Sequence, residues 1–198
     1  METEGKIAFG DMPRDEFRSS GRDVIDWIAD YFERLESLPV LSANKPQQLR
    51  EALLPLAGRL EGQLVVSIAA AVRVADIARW LGGYRHIVRA MPNMPALVGA
   101  GIAGLCADAS VGREEREIAD SVLAAVGDTV WIDDESQMDA VTAISGSGPA
   151  YVFYFIEALQ AAGEALGFAP DAARKLAIET FSGAAKLAKQ SAESPAVL

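Results

Sequence analysis

The chain has 198 residues, of which 51% are apolar and 23% charged, and it carries a formal net charge of -10. That composition supplies a buried core and excludes general disorder. The acidic surplus repels phosphate backbones and anionic headgroups, so neither nucleic acid nor a membrane surface is expected as a partner. Cys106 is the single cysteine, so no internal disulfide forms and a reducing, cytoplasmic compartment is expected. Its small-residue surroundings, Gly101–Ala107, predict a buried structural thiol. His86 is the single histidine, which excludes a multi-histidine metal site, and no metal is expected. It precedes an apolar strand and is expected at the surface or at a strand edge. Met1–Phe9 carries Glu2 and Glu4 and has no signal-peptide core. The nearly apolar run Leu64–Val72 is too short to span a bilayer.

Three regions follow in chain order. In residues 1–43, Asp11 is placed to cap a helix with Pro13 in its first turn. Phe17, Val24, Ile25, Ile28, Phe32 and Leu35 recur at helical spacing, and Pro39 ends the run. Residues 44–137 alternate between helix and strand. A helix is predicted over 47–60, with Leu49, Leu53, Leu56 and Leu60 inward and Pro55 placed to kink it. Leu64–Ile68 and His86–Ala90 read as buried strands, separated by a helix over 74–81 that Gly82 and Gly83 stop. Pro92 and Pro95 predict a rigid loop. The small residues of 96–107 predict a strand crossing closely packed backbone. A helix over 113–126 and a strand over 129–132 complete an α/β pattern with a largely parallel sheet.

Residues 138–198 carry no strand signal. Helices are predicted over 151–166 and 170–190, apolar nearly all the way round. Such helices are buried on several faces, which two helices alone do not supply. This region is therefore expected to form a homodimer or higher homo-oligomer.

Three loops have the composition of a ligand site. Lys45-Pro46-Gln47 precedes a helix start, where backbone N–H groups suit a phosphate or ribose, although a plain helix start reads the same way. Met91-Pro92-Asn93-Met94-Pro95 holds one amide in a stiff loop. Asn93 either orients a ligand or bonds its own backbone. Ser145-Gly146-Ser147-Gly148-Pro149 spends glycines inside apolar helix, each costing about 1 kcal/mol against alanine. Either a ligand approaches that backbone or two helices cross tightly.

In order and spacing, these motifs resemble the pyrroline-5-carboxylate reductase family. Lys45-Pro-Gln, Leu64–Ala70, Val88–Asn93, Pro95–Gly101, the long block Met138–Tyr151 and Gly183–Lys186 carry the likeness over about three quarters of the chain. The resemblance implies an incomplete Rossmann-like parallel sheet followed by an all-α dimerisation domain. It implies reduction of 1-pyrroline-5-carboxylate to L-proline with hydride from NADPH or NADH. It also implies that Lys45, Pro46, Ala70, Met91, Pro92, Asn93 and Pro149 border the nucleotide, and that Ser147 and Gly148 lie by the substrate. No side chain is assigned as general acid.

The sequence departs from the family in two places. Lys6–Gly10 begins like the family's first strand, but no Gly-x-Gly-x-Met turn follows. Residues 11–43 instead resemble the N-terminal helix of pyridoxal-phosphate-dependent aromatic amino acid decarboxylases, through Phe17-Arg-x-x-Gly21, Val24–Tyr31 and Pro39–Ser42. That points to a fused or recombined chain. The sequence also stops before the family's Ser-Pro-Gly-Gly-Thr loop. Both departures are expected to weaken ligand binding, and the alternative reading is a non-catalytic helical oligomerisation scaffold. Smaller departures are Asn44, Ala71 and Met94, where the family usually has valine, glycine and threonine.

Overall fold

A computed structural model describes residues 46–198, which form one compact unit. The expected helix through Phe17 and Leu35, the decarboxylase-like stretch and Lys45 lie outside the described residues.

Helix α1 (Pro46–Leu53) gives way to a 3-10 turn at Leu54–Leu56. The single helix expected over 47–60 is cut short because Pro55 has no N–H to return to the preceding turn. Strand β1 (Val65–Ser67), helix α2 (Val74–Trp80) and strand β2 (Ile87–Pro92) form a βαβ unit in which β1 and β2 are parallel. Strand β3 (Gly101–Ala107) then runs antiparallel to β2, with Pro92 opposite Ala103 and Val88 opposite Ala107. Helix α3 (Arg113–Ala124) leads to β4 (Gly127–Trp131), parallel to β3. The strand order is β1-β2-β3-β4, with two parallel pairings and one antiparallel. The reversal has a simple cause: a parallel crossover takes about a dozen residues or more. Between Pro92 and Gly101 there is room only for a 3-10 turn at Met94–Val98.

Side-chain alternation sorts β2 and β3 between two cores. Val88, Ala90, Ala103 and Leu105 pack with Ala119 and Leu123 of α3. On the other face Ile87 packs with Val74 and Ile77 of α2, joined by Leu49 and Leu53 of α1. Further along that face Met91 and Cys106 meet Met138. Met138 opens α4 (Met138–Val141), which widens into a π-helical turn at Thr142–Gly146. This run lies close on the sheet. A Cβ added to Gly104 would stand 2.5 Å from Val141 Cγ1, so the small-residue strand does cross closely packed structure.

Two long helices follow, α5 (Gly148–Ala165) and α6 (Pro170–Gln190). They meet through small residues: a Cβ on Gly163 would lie 3.1 Å from Ala173 Cβ. Helix α5 buries no residue within the chain, and α6 buries only Ala173 and Ala177. Val152, Phe153, Phe155, Leu159, Leu176 and Leu187 remain exposed. No helix among the described residues is long and apolar enough to cross a membrane.

Candidate functional site

Because β1 and β2 are parallel, their carboxyl ends open on one edge of the sheet, the edge where open α/β sheets bind ligands. After β1 the chain turns through Ala70 and Ala71. Ala71 adopts φ 59, the left-handed conformation that glycine takes without a Cβ penalty. Ala70 packs against the cluster of Met91, Cys106 and Met138. Met91 is only 8% exposed, so it forms a floor beneath this edge.

Asn93 follows in extended conformation, φ -111 and ψ 169. Its Nδ2 donates to the Ser145 carbonyl at 3.1 Å, and its Oδ1 accepts the Ile102 N–H at 3.0 Å. The amide therefore neither folds back on its own loop nor stands free. It ties the β2 end to β3 and to the serine–glycine block. Within that block the hydroxyls of Thr142 and Ser145 donate to the carbonyls of Met138 and Val141, one turn back. The Ser147 N–H reaches the Thr142 carbonyl at 2.8 Å, closing the wide turn. A Cβ on Gly146 would lie 3.3 Å from Met91 Cε, so the block rests on the methionine floor. Ser147 is 9% exposed, and its hydroxyl has no protein hydrogen-bond partner among the described residues. Gly148 starts α5 with open space on its Cβ side, and Pro149 sits in the first turn.

Ala70, Met91, Pro92, Asn93, Ser147, Gly148 and Pro149 are thus drawn together at one edge. Pro46 opens α1, whose Leu49 and Leu53 pack in the α2 cluster. The rigid proline loop was foreseen from sequence; the cross-element use of Asn93 was not.

Sequence reasoning also missed an ion pair on a buried arginine. Arg89, in the middle of β2 and 4% exposed, donates through Nη1 to Glu135 Oε1 at 2.9 Å. The same oxygen accepts the Val74 N–H at the start of α2, also at 2.9 Å. A buried guanidinium requires such a partner. The available signal was one charge inside the apolar strand Ile87–Pro92. The neighbouring Cys106 is free and buried, as expected. Burial pushes its thiol above the ordinary range, and the Glu135 charge adds to the effect. His86 stands partly exposed just ahead of β2, its Nδ1 2.6 Å from Glu115 Oε1.

A parallel strand pair opening onto a proline-framed loop, followed by a long helical segment, defines a Rossmann-like α/β protein with an added all-α part. Comparison with known proteins gives the family. A family model described as "Pyrroline-5-carboxylate reductase dimerisation" matches residues 135–198. Pyrroline-5-carboxylate reductase of Pseudomonas aeruginosa is 44% identical over 181 residues, covering 90% of this chain and 66% of that protein. The Arabidopsis thaliana enzyme is 37% identical, covering 93% of this chain and 66% of its own length. Among solved structures, the Coxiella burnetii reductase superposes with TM-score 0.73 at 41% identity, over 78% of this chain and 58% of that one. The Plasmodium falciparum reductase, solved with NADP bound, gives TM-score 0.69 at 31% identity, over 77% and 61%. The chain belongs to the pyrroline-5-carboxylate reductase family. It spans 66% of the length of each of those two sequence relatives.

Proposed function

We propose that this protein binds NADPH or NADH at the carboxyl edge of β1 and β2 and reduces 1-pyrroline-5-carboxylate to L-proline. The observation that carries the reading is the convergence of Ala70, Met91 and Asn93 with the serine–glycine block. The edge suits the reactive half of a dinucleotide: small side chains at Ala70 and Pro92, a buried apolar floor at Met91, and an unpartnered hydroxyl at Ser147. In this reading Pro46, Ala70, Met91, Pro92, Asn93 and Pro149 border the nucleotide, and Ser147 and Gly148 face the imine substrate. The bound cofactor supplies the hydride. The chain's own part is to hold the imine carbon still and keep bulk water off it, which supplies much of the acceleration in such reactions. The Ser147 hydroxyl is available to hydrogen-bond the substrate, and the open space beside Gly148 lets it approach the backbone.

Residues 44–137 serve as the dinucleotide part and residues 138–198 as the homodimer-forming part. The open apolar faces of α5 and α6 support that division. The lone, buried thiol and the acidic charge support a cytoplasmic protein without nucleic-acid or membrane partners. Titration of the purified chain with NADPH and NADH, followed by pyrroline-dependent cofactor oxidation, tests the reading. Saturable binding with turnover is expected. Absence of binding at millimolar cofactor leaves a helical oligomerisation scaffold in its place.

A further inference from the structure

The helical run from Met138 to Ala165 contains a carbonyl whose usual donor does not exist. In a continuing helix the Ser145 carbonyl would accept from the N–H four residues on. That residue is Pro149, which has none. Of the neighbouring amides, Ser147 N–H turns back to Thr142 and Ala150 N–H bonds the Ser147 carbonyl. A half-buried carbonyl left this way is costly. Asn93 Nδ2 fills the gap at 3.1 Å, while Oδ1 holds the Ile102 N–H at 3.0 Å.

This task needs a donor and an acceptor on one short side chain. Aspartate lacks the donor, and serine lacks the reach. Pro92 and Pro95 on either side stiffen the loop, so the asparagine acts from a fixed point. The next residues along the block are Ser147 and Gly148. They follow directly on Gly146, which rests on Met91 Cε, and on Ser145, which Asn93 holds.

We propose that Asn93 is a positioning residue of the reductase site: its amide replaces the N–H that Pro149 withholds and so holds Ser147 and Gly148 in register with the carboxyl edge. The inference rests on the reductase reading. Its contribution to turnover runs through the serine–glycine block, because the amide is already engaged inside the protein on both sides.

The test uses Asn93→Asp and Asn93→Ala in the full chain, with amide hydrogen exchange and steady-state kinetics as readouts. Asn93→Asp keeps the acceptor for Ile102 and loses the donor to Ser145. Loss of one such bond should speed exchange of the Ser147 N–H on the order of tenfold in both variants. The Ile102 N–H should speed up only in Asn93→Ala. For pyrroline reduction, kcat should fall roughly tenfold in Asn93→Asp while KM for the dinucleotide moves less than about twofold. Unchanged Ser147 exchange, or wild-type kcat in Asn93→Asp, overturns the inference. Should either variant fail to fold, Pro149→Ala decides. It returns an N–H to the Ser145 carbonyl, so Asn93→Asp in that background should fold and show most of its exchange effect removed. Failure of that rescue also overturns the proposal. A wild-type chain that turns over no pyrroline removes the reductase reading itself, an outcome visible separately from the exchange data.

Discussion

At the scale of single residues, Ala71 shows how a family departure reads in physical terms. The sequence marks it as an alanine where glycine is usual, and the structure gives it φ 59. A Cβ in that region costs about 1 kcal/mol or slightly more, partly repaid by the lower freedom of the unfolded chain. Ala71→Gly should therefore stabilise the protein by roughly 0.5–1 kcal/mol, seen as a higher melting temperature. A lower one would contradict the strain. Arg89 and Glu135 make the opposite prediction. Glu135→Ala strands a buried guanidinium and frees the first N–H of α2, so urea denaturation should show a loss of about 3 kcal/mol. A loss indistinguishable from zero would mean that solvent reaches Arg89. Cys106, buried and raised in pKa, should resist alkylation at neutral pH until the chain unfolds. The burial of that thiol was legible from its small neighbours. The ion pair was only half legible: a charge in an apolar strand announces the need for a partner without naming it.

At the scale of elements, the sequence located every described strand and all the described α-helices except the short α4, and the differences have local causes. Pro55 cut α1 short by withholding a donor, and the short connection after Pro92 reversed β3. What periodicity did not contain was the identity of the element lying on each glycine. The strand Gly101–Ala107 was expected to pass close to other structure, and Val141 of α4 turned out to be the neighbour. Gly104→Ala should thus overpack the contact and cost about 1–3 kcal/mol, with Val141→Ala restoring most of it in the double variant. Additive losses would show that the two do not touch. The start of α3 carries an acid-sensitive contact. The Gly112 N–H, then the His86 ring, hold the Glu115 carboxyl below its usual range. A depressed folded pKa adds stability that is present above the unfolded carboxylate value and lost as pH falls through the folded one. Glu115→Gln should accordingly flatten the stability curve below about pH 4, the ordinary glutamate range. An unchanged slope there would assign the acid response to other groups.

At the scale of the whole molecule, the α/β class and the all-α ending were both legible. The first followed from alternation of strands with helices and the second from helices apolar on too many sides. Half of the candidate site was legible as well. Glycine and proline punctuation named the loops around Asn93 and Ser147, which the structure brings together, whereas Ala70 was reached only through the family resemblance. How Asn93 serves the site was hidden, because a bond spanning 52 positions leaves no trace in local composition. The exposed aromatic face of α5 belongs to this scale too. Phe153→Glu should shift the chain toward monomer in analytical ultracentrifugation, since a charge would then sit where partner helices are expected to pack. Equal sedimentation of both forms would count against an interface through residues 138–198.

The turn after Pro92 has a consequence for where chemistry can happen. Because the chain doubles back there, β4 points away from the carboxyl edge, and the segment after it must travel home across the sheet. Glu135 touches Arg89 on the way, Val141 crosses Gly104, and Ser145 arrives at Asn93, an advance of about 1.5 Å per helical residue. Had every strand pointed one way, the same helix would have departed from that rim and carried its serines to the far side. One hairpin-like reversal thus delivers the serine–glycine block to the carboxyl rim of β1 and β2.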